Sequence, residues 1–142
     1  MAPPHGRVVC FQKKESADFA VCLANSSLFY WFYSAFSDCE HINDGLLRGF
    51  YIPKTWEETD WGTLSQQLSN SIEEHSERKT ISTKQGHKIE YVEINALNSK
   101  FIIDDIDRML AKHYGFSEDE VDFIINYDIK YRMGQETGEE VL

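Results

Sequence analysis

The chain has 142 residues, which suits one domain better than two. Its 14 basic and 24 acidic residues give a formal net charge of −10. That balance argues against a positively coated surface for non-specific nucleic-acid binding, although it allows a local basic patch. No apolar run approaches the ~20 residues of a membrane span. The N-terminus lacks a signal-peptide pattern, and the three cysteines are widely spaced. We therefore expect a reduced, cytoplasmic protein with no membrane partner.

Residue patterns predict a mostly helical first half. A run of β-branched residues near the N-terminus favours a strand, and apolar residues at helical spacing favour helices. The second helix is apolar on nearly all sides, so we expect it to be deeply packed. In chain order, the predicted elements are a frayed tail at 1–6, a strand at 7–12, helices at about 15–24, 26–37 and 43–49, an extended segment at 50–53, and a long polar helix at about 57–78.

The second half is predicted to contain one further strand and two helices. Ser117 and Glu120 have the spacing of a capping box, which opens the last helix. The three aspartates of the preceding helix, Asp104, Asp105 and Asp107, are expected on its solvent face. In chain order, the predictions are a strand at 88–95, a linker at 96–100, an amphipathic helix at 101–114, a helix from 117, a segment at 127–133 that fits helix or strand, and an acidic flexible tail at 134–142.

Together these patterns predict a single α+β domain over residues 7–133, dominated by helices and with a small β component. Residues 78–88 are its only positive island, with four basic residues, His87 and no acid. The functional interpretation is contact with DNA phosphates, with Arg78, Gln85 or Lys88 reaching base edges. The structural alternative is a solvated loop between a helix and a strand.

The sequence offers little support for catalysis. It lacks the glycine spacing of nucleotide-binding loops and any Cys-x-x-Cys pair. One local cluster, Asp38-Cys39-Glu40-His41, does not make a four-ligand zinc site, so we expect no metal. A magnesium-dependent nuclease needs an acid-x-Lys pair with a further acid. Glu77-Arg78-Lys79 with Asp60, or Asp128-x-Lys130, fits that pattern loosely, and such triplets are frequent by chance.

Several segments resemble a known family. The longest runs from Ser99-Lys100-Phe101-Ile102-Ile103-Asp104-Asp105-Ile106-Asp107 through to Gly134. Shorter ones are Leu23-Ala24-Asn25-Ser26-Ser27-Leu28-Phe29-Tyr30-Trp31, Asp38-Cys39-Glu40-His41-Ile42-Asn43 and Ser76-Glu77-Arg78-Lys79-Thr80. Together they are similar to the C-terminal end of large adenine-specific DNA methyltransferases. These are the type IIG restriction–modification enzymes and their relatives in phage-exclusion systems. The resemblance spans about residues 8–134.

In that family a Rossmann-like catalytic domain binds S-adenosylmethionine and holds the flipped adenine with an Asn-Pro-Pro-Tyr/Phe motif. The only prolines here are at 3, 4 and 53, so that motif is missing. The resemblance therefore implies a fragment of the target-recognition domain, with no catalytic residue, metal or cofactor of its own. S-adenosylmethionine is expected only in the catalytic domain of the parent enzyme.

The implied partners are double-stranded DNA and the parent's catalytic domain. The predicted DNA contacts lie in the basic stretch; they are Arg78, Lys79, Lys84, Gln85, His87 and Lys88. Two alternatives remain open at this point. One is a structural cap that stabilises the parent methyltransferase without touching DNA. The other is a small nuclease.

Overall fold

A computed structural model describes residues 8–133 of the chain. The predicted tails at 1–6 and 134–142 lie outside the described residues. The helices are α1 (Lys14–Ala24), α2 (Ser27–Phe36), α3 (Asp44–Gly49), α4 (Gly62–Glu74), α5 (Lys100–Tyr114), α6 (Glu118–Asn126) and α7 (Ile129–Met133). Short 3-10 helices cover Lys54–Glu58 and Ala96–Ser99, and the strands are β1 (Ser76–Ser82) and β2 (Lys88–Ile94).

The α+β prediction is confirmed, because a helical body carries one small sheet. The strands β1 and β2 pair antiparallel in a two-stranded sheet between α4 and α5 in the chain. Among residues 8–133, no helix is long and apolar enough to cross a membrane.

The core of the body forms where α1, α4 and α5 meet. Leu68 of α4 and Ile106 and Leu110 of α5 are at most 1% exposed. On α1, the Phe19 ring packs edge-on against Trp61 with 5.1 Å between centroids. Burying such side chains is the main favourable term in folding, so these helices hold the body together.

Predicted helix ends are confirmed by their caps. The Ser26 side chain accepts a hydrogen bond from the Phe29 backbone N–H, and Asn43 does the same for Leu46. Ser117 and Glu120 form both bonds of a capping box. Gly115 ends α5 with φ of 71°, a left-handed conformation that favours glycine. These polar groups stop and start helices because they satisfy backbone groups that the helix leaves unpaired.

Two predictions for β structure and the long polar helix are wrong. Residues 8–11 form no strand, and the described sheet contains only β1 and β2. Val8, which the prediction placed in a strand, is 74% exposed. The polar helix predicted for 57–78 is replaced by a 3-10 helix and α4, which ends at Glu74. The chain then enters β1, a strand that the sequence interpretation placed partly in that helix and partly in a loop.

Three further predictions need adjustment. The second helix is deeply packed only at its start: Leu28 is buried, whereas Phe36 is 65% exposed. In its last turn, the Phe36 ring packs against Trp31 and Phe32 of the same helix. The linker predicted for 96–100 folds as a 3-10 helix followed by the start of α5. The undecided segment 127–133 contains α7, preceded by Asp128 at φ of 53°.

Asp107 is the largest correction inside the body, because it is 3% exposed and not on the solvent face. Its carboxylate oxygens accept hydrogen bonds from the backbone N–H groups of Ser27 at 3.1 Å and Leu28 at 3.2 Å. These N–H groups begin α2 and have no partner within that helix. An anion at a helix N-terminus is also favoured by the helix dipole. Asp107 thus joins α5 to the start of α2.

The C-terminal helix adds a cation to this junction. Arg132 donates to the Ser27 hydroxyl at 2.8 Å, and its guanidinium lies 5.0 Å from the centroid of the Tyr30 ring. Burial raises the pKa of Asp107, while the hydrogen bonds from Ser27 and Leu28 oppose that rise. The junction therefore connects α2, α5 and α7 through polar groups that all have partners.

Candidate nucleic-acid interface

The predicted basic stretch folds into a β-hairpin, which we define as residues 76–94. Ser82 pairs with Lys88, and residues 83–87 form the turn. Within the turn, the Thr83 N–H donates to the His87 carbonyl at 2.8 Å, and the Gly86 N–H donates to the Thr83 carbonyl at 2.9 Å. Gly86 has φ of 83°, which other residues adopt only with strain. The local sequence therefore closes the hairpin at its glycine.

The hairpin is open to solvent along its length. Apart from Ser76, which is half-buried, every residue of both strands is exposed. Even Ile81 and Ile89, which lie opposite each other, are 50% and 47% exposed. The strands therefore project from the helical body, and their side chains are free to meet another molecule.

The structure brings all six predicted DNA contacts onto this hairpin. Arg78 and Lys79 lie on β1, and Lys88 begins β2. The other three predicted contacts, Lys84, Gln85 and His87, lie in the turn. All six residues are exposed, as a DNA contact requires.

Strand alternation separates these residues onto two faces. The first, which we name the Arg78 face, carries Arg78, Thr80, Ser82, Lys88, Glu90 and Val92. The second, the Lys79 face, carries Glu77, Lys79, Ile81, Ile89, Tyr91 and Glu93. The two faces therefore present different chemistry to any partner.

The basic residues of the hairpin differ in whether they form ion pairs with its acidic side chains. Lys79 donates a close hydrogen bond to the carboxylate of Glu93, and its ammonium lies 3.8 Å from that of Glu77. The bond with Glu93 raises the pKa of Lys79. In residues 8–133, Arg78, Lys84 and Lys88 have no acidic side chain within ion-pair distance. Their charges remain available to phosphate groups.

The alternative sites are less well assembled. The ligand atoms of Asp38, Glu40 and His41 lie within 4.8 Å of one another, fully open to solvent. Asp38 already accepts hydrogen bonds from the Glu40 and His41 backbone N–H groups, which lower its pKa and fix the turn. The neighbouring Cys39 contacts the Ser34 carbonyl instead of joining the cluster.

The acids of the first nuclease candidate, Asp60 and Glu77, lie near opposite ends of α4. Asp60 accepts from the Gly62 N–H at 2.9 Å at the start of α4. Glu77 follows the other end of that helix, which at 1.5 Å per residue is about 20 Å long. Asp60 and Glu77 therefore do not converge on one phosphate position. The second triplet is also occupied, because Asp128 accepts a hydrogen bond from the Tyr30 hydroxyl at 3.0 Å.

An apolar groove is the feature that the sequence interpretation missed. It has a volume of about 400 Å³ and lies between α1, the start of α2 and the segment after α3. Its walls include Phe11, Phe29, Leu47, Phe50 and Ile52. The available signal was the apolar character of residues 50–52, followed by a proline that favours an extended conformation for the residue before it.

Comparisons of the chain with models of protein families, with curated proteins and with solved structures found no match. No relative therefore supplies a function for the hairpin. The resemblance to adenine-specific methyltransferases stays a prediction.

Proposed function

We propose that this chain is a DNA-interacting target-recognition fragment of a restriction–modification adenine-specific methyltransferase. The observation that carries the proposal is the exposed hairpin with unpaired cations on its strands and turn. The major groove of DNA, ~12 Å wide, admits a two-stranded β-ribbon. Arg78 lies on β1, Lys88 begins β2 beside the turn, and Lys84 lies in the turn.

Charge distribution supports the same orientation. The hairpin contains four basic and three acidic residues, whereas the rest of the chain contains ten basic and twenty-one acidic residues. Phosphates repel the acidic body and attract residues 78–88, a stretch with four basic residues and no acid. DNA would therefore meet the hairpin end-on or along one face, away from the helices.

The proposal gives this chain no catalytic role. Methyl transfer and S-adenosylmethionine binding belong to the catalytic domain of the parent enzyme, since the chain has no Asn-Pro-Pro motif. In the parent, two DNA-binding parts on one polypeptide would reinforce each other. We expect the isolated chain to bind DNA weakly and best at low salt, because phosphate contacts are salt-dependent.

A salt titration of duplex binding tests the proposal. We expect measurable binding at low salt, with an affinity that falls steeply as salt rises. The quadruple variant Arg78→Ala/Lys79→Ala/Lys84→Ala/Lys88→Ala should lose affinity and flatten that slope. A charge-matched control replaces four exposed lysines outside the hairpin: Lys13→Ala/Lys54→Ala/Lys112→Ala/Lys130→Ala.

The control separates the hairpin from net charge, because both variants have the same formal charge. If both lose binding equally, attraction is a property of the whole surface and not of the hairpin. If the wild-type chain shows no binding at low salt, the proposal is wrong. Magnesium-dependent cleavage of the duplex would instead support a small nuclease.

The second candidate is a structural cap for the parent enzyme, and the apolar surface of the body favours it. Phe36, Tyr51 and Ile52 are 65%, 72% and 41% exposed, close to the groove described above. Surfaces of this kind are typical of protein contacts. A cap would bind the catalytic part of the parent methyltransferase in high salt and would show no affinity for DNA.

A further inference from the structure

We infer that the hairpin meets DNA with its Arg78 face, and that Arg78 and Glu90 on this face discriminate between bases. The inference rests on the proposed function, and it names the residues that read the sequence. It also assigns the Lys79 side chain to its bond with Glu93 on the neighbouring strand, and not to contact with DNA.

The Arg78 face carries hydrogen-bonding side chains that can reach DNA. The Arg78 face presents a guanidinium, two hydroxyls, an ammonium and a carboxylate, from Arg78, Thr80, Ser82, Lys88 and Glu90. The guanidinium, ammonium and carboxylate all lack an ion pair within residues 8–133. These groups can therefore bond to base edges without first breaking an ion pair.

The Lys79 face is less suited to DNA. Its outer part consists of the apolar Ile81 and Ile89 beside Tyr91. Its inner part holds Lys79 between two glutamates, and a phosphate approaching there meets more negative than positive charge. Binding DNA through Lys79 would also require breaking its bond to Glu93.

The spacing of Arg78 and Glu90 matches adjacent steps of a duplex. Arg78 lies opposite Val92, and Thr80 lies opposite Glu90, so Arg78 and Glu90 are diagonal neighbours across the strands. Diagonal neighbours are roughly 7–8 Å apart. Base pairs repeat every ~3.4 Å, so the two side chains can reach bases about two steps apart.

The two side chains also read different bases. Arginine bonds in a bidentate manner to the O6 and N7 atoms of guanine, whereas glutamate accepts from the N4 amino group of cytosine. Thr80, which lies opposite Glu90 on the same face, can contact a thymine methyl group through its own methyl group. The face therefore has the chemistry to recognise a short sequence containing guanine and cytosine.

Two charge-matched double variants of the full chain test this inference. Arg78→Thr/Glu90→Thr and Lys79→Thr/Glu93→Thr each remove one cation and one anion, so the net charge of both stays at the wild-type value. Threonine is well tolerated in strands, so the hairpin should persist in both variants. The probe is a pool of DNA duplexes with a randomised central segment, at low salt. The bound fraction is sequenced, and affinity is measured across a salt series.

We expect wild type to enrich particular bases. Arg78→Thr/Glu90→Thr should lose about tenfold or more in discrimination at the affected positions. Its salt slope should change by less than that of the quadruple alanine variant, because only one cation is removed. Lys79→Thr/Glu93→Thr should keep both the base preference and the salt slope.

Equal or greater loss of base preference in Lys79→Thr/Glu93→Thr would overturn the inference and leave the proposed function standing. Binding by wild type with no base preference would overturn the inference and the target-recognition part of the proposed function, and it would leave only contact with DNA. Absence of any binding by wild type at low salt would overturn both.

Discussion

The helical body and the hairpin differ in which side chains they bury. In the body, even a charged side chain such as Asp107 is buried, and it has hydrogen-bond partners. In the hairpin, even Ile81 and Ile89 are about half exposed. Apolar groups are thus left in water in one region while a carboxylate is removed from it in the other.

This contrast separates stability from binding. The body supplies the buried area that makes the fold stable, so substitutions there should be costly. A two-stranded hairpin is at best marginally stable alone, and the side chains of this one are almost all exposed. Substitutions in the hairpin should therefore change binding far more than folding.

The largest effect on folding is expected at the buried carboxylate. Asp107→Ala removes the acceptors for the Ser27 and Leu28 N–H groups, and each buried unpaired donor costs about 1–3 kcal/mol. We expect a loss of about 2–6 kcal/mol in the free energy of unfolding, measured by urea denaturation. On the same helix, Asp105 is exposed and pairs only with Arg108. Asp105→Ala should cost about 0.5 kcal/mol or less, and equal losses in the two variants would refute the contrast.

The titration of Asp107 predicts a pH dependence. Its pKa is raised above the ordinary value of 3.8, chiefly by burial. The folded state therefore holds the proton more tightly than the unfolded chain does. The stability that this gives is complete below the ordinary pKa and is lost as pH rises through the raised one. The stability difference between wild type and Asp107→Asn should move against wild type over that window and then level off. A difference that moves in favour of wild type would show that the folded state prefers the charged form.

An intermediate effect is expected at the start of α6. Ser117→Ala removes one half of the capping box and should lower the free energy of unfolding by about 1 kcal/mol. Ser69→Ala is the matched control, because the Ser69 hydroxyl bonds only to the Ser65 carbonyl one turn earlier on α4. Thermal unfolding of the two variants should differ clearly. Indistinguishable melting temperatures would mean that the cap contributes no stability.

An effect of similar or smaller size is expected when one methylene group is removed from each region. Ile106→Val removes it from a fully buried site and should cost about 0.5–1.5 kcal/mol. Ile81→Val removes it from the exposed hairpin and should change stability by about 0.5 kcal/mol or less. A larger loss at Ile81 would show that the hairpin packs against the body in solution.

Local signals predicted the body well. Helix ends at Ser26, Asn43, Gly115 and Ser117 follow from side chains that cap nearby backbone groups, so they could be recognised in the sequence. The prediction of a solvent-facing Asp107 was wrong because it relied on the charge of the side chain and not on its position along the helix. Its spacing from Ile103 and Leu110 puts it on the buried face, and only the start of α2 explains why a carboxylate is stable there.

Strands were harder to predict because a strand needs a partner elsewhere in the chain. Residues 7–12 have a suitable composition, but no strand pairs with residues 8–11 in the described structure. In β1, Ile81 is the only apolar residue, and every residue after Ser76 is exposed. Without a buried face, the alternation of apolar and polar residues that marks a strand is weak. The sequence placed the six predicted contacts in one stretch, but it showed neither their separation onto two faces of a hairpin nor the bond of Lys79 to Glu93 across the strands.

We propose that the hairpin is the part of the molecule that contacts DNA. The most direct measurement is a two-dimensional 1H–15N NMR titration of the full chain with duplex DNA at low salt, following the backbone amide signals. The account predicts that the largest shifts fall within residues 78–90 and that the signals of α4 and α5 stay in place. Shifts centred on the apolar groove around Phe50, or no shifts at all, would contradict it.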